Sequence, residues 1–98
     1  MPASELEIVR LLGQQSPQAI ELLYDAYGRL AYSLAFRVLR DAGAAEDVVQ
    51  ESFLTVWRNG GSYAPEKGSL RGWLCTIVHR RAIDRLRSNR VHSGSEQP

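Results

Sequence analysis

Between Ile20 and Leu39 apolar side chains recur every three or four residues: Ile20, Leu23, Tyr24, Tyr27, Leu30, Ala31, Leu34, Ala35, Val38 and Leu39. That period is helical, and a helix with so wide an apolar stripe must bury it against other elements. The rest of the chain obeys the same rule. No segment alternates with a period of two and no segment repeats, so the sequence predicts an all-α compact bundle of four to five helices. At 98 residues it is one small domain.

Local signals mark the helix ends. Ser4-Glu-Leu-Glu7 is a capping box, followed by Leu6, Val9 and Leu12 at helical spacing, with Gly13 as a stop. Ser16-Pro17 predicts a second start, with the serine capping and the proline in the first turn. The long helix that follows has a candidate bend at Gly28. Asp41 to Gly43 read as a turn, Ala44 to Arg58 as a third helix ended by Asn59-Gly60-Gly61, and Leu70 to Ser88 as a fourth. The tail Ser93-Gly-Ser-Glu-Gln-Pro98 has the composition of a linker without order.

Charge is unevenly placed. From Met1 to Trp57 four basic residues stand against eight acidic ones, a net of −4. From Arg58 to Pro98 eight basic residues stand against three acidic ones, a net of +5. A near-neutral total therefore hides an acidic half and a basic half, as a one-sided nucleic-acid contact requires. Cys75 is the only cysteine, at a core-facing helical position where an inert thiol is expected. His79 and His92 have no partners at ligand spacing, so no metal site and no cofactor is read. Nor is there a paired acid and base, an activated nucleophile or a phosphate loop, so no enzyme is read. No apolar run approaches a membrane span, and the expected location is the cytoplasm.

The third helix carries two faces. Val49, Phe53, Val56 and Trp57 form an apolar stripe assigned to the core. Asp47, Gln50, Glu51, Leu54 and Arg58 recur on another side, either as a solvated surface or as a docking face for a basic partner with Leu54 as its apolar anchor. In the fourth helix Leu74, Cys75, Val78, Ala82 and Leu86 share the core side, while Arg80, Arg81, Asp84, Arg85 and Arg87 fill the remaining arc. Such an arc is either a soluble surface or a phosphate-binding one. Arginine almost to the exclusion of lysine suits forked contacts to phosphates and base edges. The loop before it, with Ser62, Tyr63, Lys67, Ser69 and Arg71, sets an aromatic ring among donors, a setting that can receive an unstacked base. Trp73 at the helix start is either a core residue or a stacking platform.

The run Ala45-Glu-Asp-Val-Val-Gln-Glu-Ser-Phe53, then Trp57, then Gly68-Ser-Leu-Arg-Gly-Trp-Leu74 and Ile83-Asp-Arg-Leu-Arg87, resembles the second domain of bacterial sigma factors. The best match is the small extracytoplasmic-function group, and the likeness covers about Ser16 to Arg90. The resemblance implies that Asp47, Gln50 and Glu51, flanked by Leu54 and Arg58, dock on the clamp helices of the RNA polymerase β′ subunit. It implies that the loop Asn59–Arg71 and the following helix bind and melt the minus-ten promoter element and hold a flipped non-template base, with Tyr63 near it. Arg80, Arg81, Arg85 and Arg87 would then contact phosphates, and Asn59, Ser62, Lys67, Ser69, Trp73 and Asp84 would complete the DNA-binding set. An anti-sigma factor is a further implied partner, and a module serving mainly to bind such a regulator is the alternative reading. Two departures stand out. Many members carry asparagine where this chain has Arg80, which offers donors only. On this reading residues 1–90 are the domain, 91–98 begin a linker, and the family's helix-turn-helix domain is absent.

Overall fold

Two residues, Arg40 and Asp41, turn the chain between its two longest early helices. Arg40 adopts the left-handed conformation (φ 55°) and its amide donates to the Phe36 carbonyl at 2.8 Å, closing the first of them. The Asp41 carboxylate accepts from the Ala44 amide at 2.8 Å and opens the second. In the computed structural model, which describes residues 4–60 and 68–96 with side chains to Asn89, four helices follow in order. They are α1 (Glu5–Gly13), α2 (Gln18–Leu39), α3 (Ala42–Arg58) and α4 (Leu70–Glu96). Among the described residues there is no strand, as the sequence predicts. No described helix is long and apolar enough to cross a membrane.

Helix α2 is the centre. It packs against α3 and α4, which also pack on each other, and α1 lies against α2. Small residues on α2, Ala19, Ala31 and Ala35, are almost wholly buried and let the neighbouring helices approach closely. Phe53 of α3 is fully buried and meets Tyr24 of α2 edge-on, with ring centroids 4.3 Å apart at 63°. Leu70, Leu74, Val78 and Ala82 give α4 its core side.

Several local expectations are corrected. On α1 the buried side is Ile8, Leu11 and Leu12, whereas Leu6 is 81% exposed and Val9 only partly covered. Both sets fit a helical wheel, and the position of α2 chooses between them. Ser4 does cap α1, accepting from Glu7 at 3.3 Å. Ser16 makes no side-chain cap: Pro17 is the N-cap residue and Ala19 donates to the Ser16 carbonyl at 3.0 Å. Helix α2 runs unbroken through Gly28, and α3 begins two residues early because Asp41 draws Ala42 and Gly43 into its first turn. Helix α4 continues to Glu96, past Ser88 and into the stretch read as an unordered linker. Cys75 and Leu86 are half-buried, not enclosed, and Val48 and Ser52 join the α3 core side.

A clasp fixes the far end of α3. Trp57 Nε1 donates to the Ser16 carbonyl at 3.0 Å, and Gln15 Nε2 donates to the carbonyls of Trp57 and Arg58 at 2.8 and 3.3 Å. Gly60 then passes so near α1 that a Cβ there would lie 2.7 Å from the Leu12 carbonyl oxygen. The exit of the chain from α3 is thus set by the α1–α2 junction.

Candidate nucleic-acid interface

Helices α3 and α4 lie side by side, so the arc of α4 left outside the core borders the polar side of α3. Across that border Arg81 forms an ion pair with Glu51 at 3.4 Å and also donates to the Thr55 hydroxyl. Thr55 in turn donates to the Glu51 carbonyl at 3.0 Å, so both capacities of its hydroxyl are engaged. One turn along, Arg85 pairs with Asp47 at 3.7 Å. These contacts join residues expected to serve DNA with residues expected to serve polymerase.

Beside the pairs opens a cleft of about 550 Å³ lined by Thr55, Trp73, Thr76, Ile77, Arg80, Arg81 and Asp84. Trp73 and Ile77 supply apolar lining, and both also pack on the core. Trp73 thus packs on the core and also lines the cleft. Arg80, Arg81 and Asp84 add charge to the lining, donors and an acceptor within one concavity. A shallower hollow of about 380 Å³ continues along the helix between His79, Arg80, Ile83, Asp84 and Arg87. Arg80 also borders a third, of about 390 Å³, where α4 faces Leu34 of α2 and where Cys75 is found. Arg80 is thus common to the three hollows on this side.

The remaining expected site residues separate into groups. Gln50, Leu54 and Arg58 are exposed on α3, with Leu54 at 42% exposure. They share its outer side with Asp47 and Glu51. Asn59 donates from its side chain to the Thr55 carbonyl at 2.9 Å, finishing α3. The Ser69 hydroxyl accepts from the Gly72 amide at 3.0 Å and caps α4. The Arg71 amide donates to Glu5 at 3.3 Å, tying α1 to the start of α4. Arg71 and Arg87 are exposed. Ser62, Tyr63 and Lys67 lie outside the described residues. Sequence reading missed Thr55, Thr76 and Ile77. The available signal for Thr55 was its place four residues after Glu51, on the border between the apolar and polar sides of α3.

The family model described as Sigma-70 region 2 matches residues 23–91, and the chain belongs to that family. Its relatives place it in the extracytoplasmic-function group. It is 42% identical over 89 residues to the ECF RNA polymerase sigma factor SigK of Mycobacterium sp. (strain KMS), covering 91% of this chain and 46% of the relative. It is 38% identical over 95 residues to the protein of that name in Mycobacterium tuberculosis (strain ATCC 25177 / H37Ra), covering 96% and 51%. The chain spans about half the length of the curated relatives it matches.

Proposed function

We propose that this chain is the promoter-melting module of an RNA polymerase sigma factor. It acts in the cytoplasm within the holoenzyme, and it carries no catalytic group of its own. Residues 1–90 form the module. The exposed α3 side, Asp47, Gln50, Glu51, Leu54 and Arg58, docks on the clamp helices of the β′ subunit. The α4 side then meets the minus-ten element as the strands part.

The observation that carries this reading is the cleft on α4, lined by an aromatic and an aliphatic side chain together with two arginines and a carboxylate. A base drawn from the non-template strand exchanges its stacking neighbours for Trp73 and Ile77, and it presents its Watson–Crick edge to Arg80 and Asp84. Melting is driven by this capture: unstacking costs a few kcal/mol, which stacking on the protein and the edge contacts offset. Arg71, Arg87 and, when released from α3, Arg81 and Arg85 hold phosphates and set register without reading sequence. Asn59, Ser62, Tyr63, Lys67 and Ser69 complete the DNA-binding set, with Tyr63 near the flipped base. An anti-sigma factor would act by covering the α3 and α4 sides together.

Fluorescence anisotropy with short single-stranded oligonucleotides, varied one position at a time at low and moderate salt, tests this. Saturable binding that depends on one or two bases is expected. Binding indifferent to sequence would reduce α4 to a phosphate tether and favour the protein-interaction reading.

A further inference from the structure

We infer that α1 is a strut that sets the width of the α4 cleft, with Gln15 and Glu5 as its positioning residues. The inference rests on the reading of that cleft as the seat of a captured base.

Both helices that wall the cleft are held by the α1 segment. Gln15 Nε2 donates to the carbonyls of Trp57 and Arg58 at 2.8 and 3.3 Å, in the last turn of α3. Thr55, on the α3 side of the cleft, stands two residues before Trp57. Near the other end of α1 the Glu5 carboxylate accepts from the Arg71 amide at 3.3 Å, in the first turn of α4. Trp73, on the α4 side of the cleft, stands two residues after Arg71. The two walls are therefore bridged, close to Thr55 and Trp73, by one nine-residue helix about 13 Å long.

The contacts are built for placement. Carbonyls in the last turn of a helix lack an intrahelical donor, and Gln15 reaches two of them. It does so from left-handed backbone (φ 54°), uncommon for a residue with a side chain, while its own amide donates to the Leu12 carbonyl at 3.0 Å. The same junction receives the Trp57 indole N–H at the Ser16 carbonyl and seats Gly60 against Leu12. Neither Glu5 nor Gln15 is buried, so both act on the cleft from outside the core. Both also precede the residues 23–91 that match the family model. Contacts to a base edge demand placement within about 0.5 Å, whereas arginines on long side chains hold phosphate without that fit.

The test uses the whole chain with short fluorescent single-stranded oligonucleotides varied at one position, titrated by anisotropy well below the melting temperature of every variant. Its readout is the affinity ratio between the best and worst base, expected to be about tenfold or more in the wild type. Gln15→Glu keeps the shape but has no N–H to donate, and it is expected to lower that ratio about fivefold. Glu5→Ala is expected to lower it too, and Glu5→Gln, which keeps an acceptor for the Arg71 amide, is expected to restore it. Glu7→Ala removes an exposed carboxylate of α1 that makes no contact with α3 or α4 among the described residues, and it is expected to keep the wild-type ratio. A wild-type ratio retained by Gln15→Glu and Glu5→Ala would overturn the strut while leaving base capture in place. So would an equal loss in Glu7→Ala, which would make the effect one of α1 stability alone. A wild type that does not distinguish bases would overturn the base-capture reading and the strut with it.

Discussion

Arg81 on α4 and Glu51 on α3 stand 3.4 Å apart, so the two sides proposed for DNA and for polymerase share an ion pair. A substitution on either helix therefore reports on both functions, and variants must be chosen with that in mind.

Gln50 offers the cleaner probe of docking, because it is exposed on α3 and takes no part in the pairs with α4. Gln50→Ala is expected to weaken assembly with core polymerase while circular dichroism and the melting temperature stay as in the wild type. Asp47→Ala is expected to weaken assembly too, and also to release Arg85. Polymerase affinity unchanged in both variants would count against the α3 docking side.

Arg80 and Arg87 are expected to behave differently although both are exposed arginines on α4. Arg80 borders the cleft, so Arg80→Ala should change which base is preferred at one position, by about 1–3 kcal/mol of discrimination. Arg87 is proposed to hold phosphate, so Arg87→Ala should weaken all oligonucleotides alike and lower the salt slope by about 0.7. An oligonucleotide panel read at several salt concentrations separates the two.

Gly60 cannot take a side chain without movement, since its Cβ would approach the Leu12 carbonyl oxygen to 2.7 Å and the Leu12 Cβ to 2.8 Å. Gly60→Ala should destabilise the fold by about 1–3 kcal/mol, the usual range for overpacking. Thermal unfolding would show this as a fall of several degrees.

Ser52 is fully buried in α3, and its hydroxyl has no hydrogen-bond partner among the described residues. Burying a polar group without a partner is costly, so Ser52→Ala should raise stability by about 1 kcal/mol, or some 4–8 °C in melting temperature. A lower melting temperature would mean that the hydroxyl has a partner in solution.

Tyr24 packs on Phe53, and burial pushes its hydroxyl above the usual tyrosine range. Folding thus favours the neutral phenol. The corresponding stability is fully present below the ordinary tyrosine value of about 10 and is lost as pH rises through the higher folded value. Tyr24→Phe should remove this part of the alkaline loss in a pH series of thermal melts.

Helix number, order and type were legible in the chain because apolar spacing and caps act locally: the Ser4 cap, the long stripe of α2 and the arginine arc of α4 need no partner to be recognised. Which side of α1 is buried was not legible, since Leu6 and Ile8 both start a plausible stripe and only the seat offered by α2 decides between them. The boundary of α3 moved because the Asp41 carboxylate, not the glycine after it, fixes the first turn. The acidic and arginine-rich surfaces could likewise be found by spacing alone. That they meet, pairing Asp47 with Arg85 and Glu51 with Arg81 and enclosing a cleft with Thr55 at its edge, depends on two helices distant in sequence lying antiparallel. Sequence determined which charges each helix presents, because a helix wheel is a property of one segment. Only the packing of α3 against α4 decided which charges are spent on each other, because that is a distance between segments.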